Sequence, residues 1–390
     1  MAKKRKVHSL TGRITGKLMN EAFKAVKRNR GAAGIDKVSI KMFEANLDEN
    51  LASLMRDLKT RGKFLPLPLR RHYIPKGENE TRPLGIPAVR DRVAQEAIRR
   101  LLNPIFDRMF HENSFGFREG RNCHMAIETT NELHAQGHRW VLDADIKGFF
   151  NNIPHKVIME FVASEVADGN ILGIVERFLK SGVMEDGAFK PTTLGTPQGG
   201  VISPLLANIV LNRLDWALHE AGYRFVRYAD DFVVVTQSEA QAEEALVLVQ
   251  SILQTLGLEL SPEKTKITTF GKGYDFLGFT NSSRSCKMRG KSVKKFKDKI
   301  REMTHRRHNL DADCIMRLNR VIRGTANYFG ARFSTNRWLF QKLDSWIRMR
   351  LRCMKFKRKS RHHNYKLRVH WFKEKLGLIA MEDILIDKCM

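Results

Sequence analysis

The stretch Arg224-Phe-Val-Arg-Tyr-Ala-Asp-Asp-Phe-Val-Val-Val-Thr236 places apolar residues on both sides of two adjacent aspartates. Phe225 and Val226 precede Asp230 and Asp231, and four apolar residues follow, a pattern typical of two short strands joined by a turn. Two carboxylates at such a turn repel each other unless a cation neutralises them. Aspartate is also common in turns for ordinary hydrogen-bonding reasons, so the doublet alone is compatible with a structural role.

The flanking sequence supplies the other elements of a small mixed sheet. Residues 139–146 predict one strand and residues 266–270 predict another. Ser238 and Gln241 suit the capping box of an intervening helix. The order strand, helical region, hairpin, helix, strand is that of a ferredoxin-like sheet, which makes the predicted class α+β.

Helical spacing dominates the two ends of the chain. Apolar residues recur at helical intervals over 17–30, 41–60 and 92–110, and Pro104 is expected to kink or end the last of these helices. Five prolines between residues 64 and 90 favour short strands and turns instead. From Val293 onward the pattern is helical again, with Asp311 as a helix cap.

Asp145 ends the predicted strand at 139–146, and the sheet would place it beside the Asp230-Asp231 turn. Three carboxylates at one sheet edge could hold two Mg²⁺ ions, since Mg²⁺ prefers oxygen ligands and leaves positions for water and phosphate. Two such ions suit in-line nucleotidyl transfer. Asp143 is a competing candidate, but it lies nearer the strand interior, so we favour Asp145.

The chain has 390 residues and a formal net charge of +27, and most of the excess is local. Residues 287–375 contain 28 Lys and Arg against 6 Asp and Glu, with aromatic side chains between the charges. Such a segment suits a nucleic-acid backbone, although a solvated helical surface or a patch for anionic lipid has the same composition. Its apolar periodicity favours a folded segment over a disordered tail.

Other sequence features limit the class of protein. No apolar run approaches the roughly 20 residues of a membrane span, and the five cysteines form no C-x-x-C pair. These features are compatible with a reducing compartment. We expect a cytoplasmic location, that of a bacterial-type protein. The run Lys3-Lys4-Arg5-Lys6-Val7 would make it nuclear if it acted as an import signal in a eukaryotic host, but the run is equally typical of a solvated arm or an added tag.

Several motifs resemble those of group II intron reverse transcriptases, in that family's order across about 20–280. Tyr228-Ala-Asp-Asp231 resembles the reverse transcriptase signature, and a further series resembles the neighbouring motifs. That series comprises Arg82-Pro-Leu-Gly-Ile-Pro87, Ser114-Phe-Gly-Phe-Arg118, Asp145-Ile-Lys-Gly-Phe-Phe150, Gly195-Thr-Pro-Gln-Gly-Gly-Val-Ile-Ser-Pro-Leu-Leu-Ala-Asn208, Leu258-Glu-Leu-Ser-Pro-Glu-Lys-Thr-Lys266 and Phe276-Leu-Gly-Phe279.

Beyond the polymerase motifs, residues 317–329 and 343–352 are similar to the maturase, or thumb, domain of those proteins. The resemblance implies a right-hand polymerase with fingers, a ferredoxin-like palm and an α-helical thumb. We expect a basic arm at 1–10, fingers and palm at 11–285, and a basic thumb/maturase domain at 286–390.

The resemblance also implies an activity and its partners. The activity is cDNA synthesis from dNTPs on an RNA template with a DNA primer. It would use two Mg²⁺ ions, with Mn²⁺ as a possible substitute. The resemblance further implies binding of group II intron RNA, assistance to its splicing, and intron mobility. No membrane partner is expected, and the sequence leaves the oligomeric state open.

Site residues follow by position from the same resemblance. Asp145, Asp230 and Asp231 would be the catalytic metal ligands. Phe150 would exclude a ribose 2′-hydroxyl, although its neighbour Phe149 is an alternative. The other nucleotide-binding residues would be Lys76, Arg82 and Gln198, and those for template–primer would be Lys264, Arg323 and Trp346.

Two other functions remain open at this point. A non-catalytic RNA-binding splicing factor could retain the fold, but such a protein gains nothing from three mutually repelling carboxylates at Asp145, Asp230 and Asp231. A related reverse transcriptase recruited to defence or repair would share the whole motif series. Whether the gene lies inside an intron would separate that role from mobility.

Overall fold

A computed structural model describes most of the chain, apart from the termini and four short internal segments. The described residues are 6–75, 81–185, 187–196, 199–358 and 364–389. Three predicted features lie outside them, namely Lys76, Gln198 and the run from Lys3 to Arg5. Among the described residues, none of the helices combines the length and apolar character that a membrane crossing requires.

The helices and strands are numbered along the chain. The helices are α1 (Gly16–Asn29), α2 (Ile40–Ala45), α3 (Leu47–Lys59), α4 (Val89–Phe106), α5 (Cys123–Ala135), α6 (Phe149–Asn152), α7 (His155–Glu165), α8 (Gly169–Leu179), α9 (Ser203–Glu220), α10 (Glu239–Thr255), α11 (Gly290–Met303), α12 (Ala312–Phe329), α13 (Arg337–Lys355) and α14 (Met381–Cys389). The strands are β1 (Leu69–Pro75), β2 (Thr81–Ile86), β3 (Trp140–Asp145), β4 (Val183–Glu185), β5 (Ala188–Lys190), β6 (Arg224–Tyr228), β7 (Asp231–Thr236), β8 (Lys266–Thr269), β9 (Tyr274–Phe276), β10 (Phe279–Ser282) and β11 (Ser285–Met288).

The chain divides into two compact units, Met1–Thr129 with Leu142–Ile267 and Thr130–Val141 with Thr268–Met390. The sheet that carries the predicted site has the strand order β6-β7-β3-β8. Taken in chain order as strands one to four (β3, β6, β7, β8), this is the order 2-3-1-4 expected of a ferredoxin-like fold. The predicted fold class is therefore confirmed.

Apolar packing explains why this sheet forms. β6 and β7 pair antiparallel, with Tyr228 opposite Asp231, and their interior side chains are buried. Helix α9 packs on β6, and α10 packs on β7 and against α9. The predicted cap of α10 is present, because Ser238 Oγ accepts from the backbone N–H of Gln241. The hairpin is thus supported by buried helices along its length.

A second sheet of the first unit has the order β2-β1-β4-β5. Helix α1 packs against α3 and α4, and α4 is buried along most of its length. The single helix expected over 41–60 is interrupted at Asn46, where α2 ends and α3 begins. Pro104 lies within α4, which runs on to Phe106; only the last turn follows the proline, so little helix is lost.

The second unit combines a three-stranded sheet, β11-β10-β9, with the helices α11 to α14. The predicted cap is confirmed, since Asp311 Oδ1 accepts from the backbone N–H of Cys314 at 2.8 Å. Helix α14 packs on α12 and α13. The apolar core of these helices includes Ile300, Leu318, Ile322, Leu343, Ile347 and Leu351, all at most 1% exposed.

Candidate active site

Three aspartates lie where two neighbouring strands of the sheet end and begin. Asp145 is the last residue of β3, Asp230 lies in the turn after β6, and Asp231 is the first residue of β7. Ala229 directly precedes Asp230 and has a φ of 59°. This left-handed conformation is uncommon for residues other than glycine and needs support from its surroundings. The local fold thus brings the predicted residues to one edge of the sheet.

Asp230 is the electrostatically perturbed member of the set. Burial raises the pKa of its carboxyl, and the negative charge of Asp145 raises it further. The positive charges of Arg82 and Arg227 act in the opposite direction. Asp145 and Arg82 therefore both lie close enough to Asp230 for their charges to act on its carboxyl group. A bound cation would relieve the cost of keeping this carboxylate ionised.

Two lysines pair with the carboxylates of β3. Lys264 Nζ lies 3.0 Å from Asp145 Oδ2, and Lys266 Nζ lies 3.5 Å from Asp143 Oδ2. Asp143 is the less exposed of the two aspartates, with 15% of its side chain accessible against 42% for Asp145. The contact of Lys264 with Asp145 was not expected from the sequence, which predicted a primer contact for this lysine.

The donors fit a divalent ion, although they do not form a closed cage. Among the described residues, no three His, Cys, Asp or Glu side chains come close enough together to hold a metal ion by themselves. Asp145 nevertheless holds a cationic group at hydrogen-bond distance, and Asp230 is destabilised as an anion. Mg²⁺ commonly takes one or two protein carboxylates and completes its shell with water and substrate phosphates.

The two adjacent phenylalanines differ in burial. Phe149 is 2% exposed and belongs to the core, whereas Phe150 is half-buried, with the two ring centroids 5.2 Å apart. The backbone N–H of Thr196 donates to the carbonyl of Phe150 at 2.7 Å. At Gly195, with a φ of 83°, a Cβ would lie 2.7 Å from that same carbonyl oxygen, so glycine permits this close approach.

The interactions of Arg227 were missed by the sequence analysis. This arginine is 0% exposed, and it donates to Asp215 through two nitrogens, at 2.7 and 2.6 Å. It also donates to Ser114 Oγ, to Asn208 Oδ1 and to the carbonyl of Ala229. A signal was available, because an arginine between apolar strand residues needs a buried counter-ion.

Gly116 explains part of the motif at 114–118. A Cβ at this position would lie 2.2 Å from the backbone nitrogen of Ala229, so only glycine allows the two segments to approach this closely. The amide of Asn208 donates to the Gly116 carbonyl at 2.8 Å. This motif therefore supports the turn that carries Asp230.

In the second unit, Arg323 is exposed on α12 and Trp346 is half-buried on α13. Lys297 and Arg301 each lie 5.7 Å from the Trp346 ring centroid, within range of a cation–π interaction. Trp338, 66% exposed, has Lys342 Nζ 3.3 Å from its ring centroid. The basic segment thus presents aromatic and cationic groups together.

Comparison with protein families gives two matches along the chain. Residues 74–281 match the family "Reverse transcriptase (RNA-dependent DNA polymerase)". Residues 293–376 match "Group II intron, maturase-specific domain". The first match covers more than half of the chain and contains the three aspartates.

Similar proteins agree with this assignment. Protein YkfC of Escherichia coli K12 is 35% identical over 299 residues, covering 66% of this chain and 78% of YkfC. Group II intron-encoded protein LtrA of Lactococcus lactis subsp. cremoris is 29% identical over 385 residues, covering 73% of this chain and 64% of LtrA. A solved telomerase from Candida albicans aligns with a TM-score of 0.44 at 14% identity over 82% of this chain and 64% of that one, a likeness that adds nothing to the assignment. The chain therefore belongs to the reverse transcriptase family and is a group II intron-type reverse transcriptase with a maturase-specific domain.

Proposed function

We propose that this chain synthesises cDNA on an RNA template at a site formed by Asp145, Asp230 and Asp231. One observation carries this assignment: strands β3 and β7 are neighbours, which brings Asp145 to the same edge of the sheet as Asp230 and Asp231. Burial raises the pKa of Asp230, and the charge of Asp145 adds to this effect. Paired carboxylates of this kind are suited to binding divalent cations.

Mg²⁺ is the ion that we propose for this site, with Mn²⁺ as a substitute. Bound metal would supply the Lewis acid that lowers the pKa of a primer hydroxyl and stabilises the leaving pyrophosphate. The chain's own contribution is to hold the carboxylates and to exclude wrong substrates. Lys264, which pairs with Asp145, would release this carboxylate to a metal ion and then lie beside the primer.

The nucleotide would lie between Arg82 and Phe150. Arg82 is exposed and its charge acts on Asp230, which suits a contact to the triphosphate. Phe150, rather than the buried Phe149, has the accessible ring that a steric gate against a ribose 2′-hydroxyl requires. Lys76 and Gln198 remain proposed nucleotide contacts by sequence position.

The second unit would bind template–primer and group II intron RNA. Its support is the positive charge of residues 287–375, the exposed Arg323 and the aromatic groups beside cations, such as Trp346. We propose that residues 286–390 form the thumb/maturase domain, that residues 11–285 form fingers and palm, and that splicing assistance and intron mobility depend on both. The free thiols of Cys123, Cys286, Cys314 and Cys353 suit a cytoplasmic location.

The test is primer extension on an RNA template with dNTPs and Mg²⁺. We expect Asp145→Asn and Asp230→Asn each to lower the rate by at least about 100-fold, since each removes a carboxylate from the site. Asp143→Asn is the matched control, because it changes the same strand two residues away and should retain most of the rate. Equal loss in all three variants would contradict the assignment.

The rival function has a distinct outcome in the same assay. If the folded wild-type protein binds intron RNA but extends no primer with Mg²⁺ or Mn²⁺, the polymerase proposal fails. A non-catalytic splicing factor would then be the better-supported function of this protein.

A further inference from the structure

The guanidinium of Arg227 uses every donor that it has. Its Nε and one Nη2 proton go to the two carboxylate oxygens of Asp215, and the second Nη2 proton goes to Ser114 Oγ at 2.7 Å. Its two Nη1 protons go to Asn208 Oδ1 at 2.9 Å and to the carbonyl of Ala229 at 2.8 Å. Five N–H donors thus meet five acceptors, which fixes the orientation of the planar group.

Stability alone does not explain this arrangement. Arg227 and Asp215 are 0% and 1% exposed, and replacing such a buried pair by apolar side chains of similar volume is often neutral or stabilising. What an apolar pair cannot provide is the hydrogen bond to the Ala229 carbonyl. That bond reaches the residue directly before Asp230.

The turn at Ala229 requires an external constraint. Its φ of 59° is costly for a residue with a Cβ, and Gly116 lies so close that a Cβ there would be 2.2 Å from the backbone nitrogen of Ala229. The backbone of Arg227 is itself fixed, because its N–H donates to Asn113 and its carbonyl accepts from Phe115. Arg227 therefore connects two other chain segments, residues 113–115 and helix α9, to a single strained turn.

We propose that Arg227 is a positioning residue that holds the Ala229–Asp231 turn in the geometry needed for nucleotidyl transfer, with Asp215, Asn208 and Ser114 orienting its guanidinium. Arg227 does not touch substrate, and it acts through the Ala229 carbonyl. This inference rests on the proposed function of Asp230 and Asp231. It assigns the conformation of their turn to a buried side chain of strand β6.

The decisive variant replaces both charges at once. Arg227→Met combined with Asp215→Leu leaves no uncompensated buried ion, so the fold should persist, but the bond to Ala229 is lost. We expect kcat for primer extension to fall by about 10- to 100-fold, as for a misplaced catalytic group, while KM for template–primer changes by less than about twofold. The Mg²⁺ concentration for half-maximal rate should rise.

A second readout needs neither metal nor activity. Hydrogen–deuterium exchange of the peptide covering Tyr228–Phe232 should accelerate in the metal-free double variant, while exchange in α8 stays unchanged. Arg227→Lys keeps the charge but lacks the planar set of five donors, and it should show the same two effects. Ser114→Ala removes one of the five acceptors and should lie between wild type and Arg227→Lys.

The control is Val175→Ala, a core truncation in α8. If Val175→Ala matches the double variant in kcat and in exchange at Tyr228–Phe232, or if the double variant keeps wild-type values in both, Arg227 has no positioning role. Asp230→Asn distinguishes the two proposals. Should Asp230→Asn extend primers normally, the proposed function fails, whereas the exchange data still decide whether Arg227 holds the turn.

Discussion

The ammonium of Lys264 lies 3.0 Å from Oδ2 of Asp145, at the end of β3 where a divalent ion would bind. Both side chains are partly exposed, so the attraction between the two charges is worth about 0.2–1 kcal/mol of free energy. Lys264→Gln removes the competing cation from the carboxylate. We expect the half-saturating Mn²⁺ concentration, measured by electron paramagnetic resonance without substrate, to fall by up to about fivefold.

Primer affinity provides the complementary measurement for Lys264. If this lysine also contacts the primer backbone, Lys264→Gln should weaken template–primer binding and lower its salt dependence by about one counterion. Lys266→Gln, which removes the cation paired with Asp143 instead, is the matched control for both experiments. An unchanged Mn²⁺ affinity in Lys264→Gln would contradict a metal role for Asp145.

Phe150→Ala should weaken discrimination against ribonucleotides. Removing a half-buried ring beside the proposed sugar position leaves room for a 2′-hydroxyl, so we expect the ratio of kcat/KM for dNTP over NTP to fall by about 10- to 100-fold. Phe149→Ala is the control, because its ring is core and its loss should cost about 3–5 kcal/mol of stability instead. A selectivity loss in Phe149→Ala alone would exchange the two roles.

The buried Asp91 should make the free energy of unfolding depend on pH, independently of catalysis. Burial raises the pKa of this carboxyl from 3.8 to about 6, against the opposing effects of the Leu67 N–H and of Arg90. In the window between these values the folded state holds a proton that the unfolded state has lost. The stabilising contribution is therefore complete below about pH 4 and disappears as the pH rises through about 6.

Asp91→Asn should remove this dependence. Its amide oxygen can still accept from Leu67, so at pH 8 the variant should exceed wild type by up to about 3 kcal/mol in the free energy of unfolding. Near pH 4 the advantage should vanish. Urea unfolding between pH 4 and 8 measures both, and parallel curves for the two proteins would refute the assignment.

Arg323→Gln should weaken RNA binding by the second unit. Arg323 is exposed on α12, so we expect its loss to reduce the salt slope of binding by about one. Arg317→Gln on the same helix is the control, because Arg317 already pairs with Asp313 at 2.9 Å. Filter binding at several salt concentrations compares the two, and equal effects would argue for a diffuse charge effect without a contact at Arg323.

The hairpin at 224–236 and its helix were predictable because each local signal agreed with the next. The apolar runs on both sides, the Asp-Asp turn and the cap at Ser238 all favour the same structure. The break at Asn46 was not predictable, since apolar spacing continues through 41–60 and the interruption depends on tertiary packing. Pro104 was overestimated as a helix breaker because it lies in the last turn.

The candidate site was predicted as a set of residues but not as a network. Sequence order places Asp145 near Asp230 through the ferredoxin-like topology, which local patterns can indicate. The partners of Arg227 come from segments up to 113 residues away, and no periodicity reports such pairs. The pairing of Lys264 with Asp145, 119 residues apart, is equally non-local.

All five N–H donors of Arg227 make hydrogen bonds, and this has a consequence for protein engineering. Single replacements at Ser114, Asn208, Asp215 or Arg227 each leave a buried group without its partner, so a library that varies them one at a time should return mostly the parental residues. Joint randomisation of Arg227 and Asp215 explores apolar pairs that single steps cannot reach. Because such apolar pairs lack the hydrogen bond to the Ala229 carbonyl, a selection for folding should recover them and a selection for primer extension should discard them.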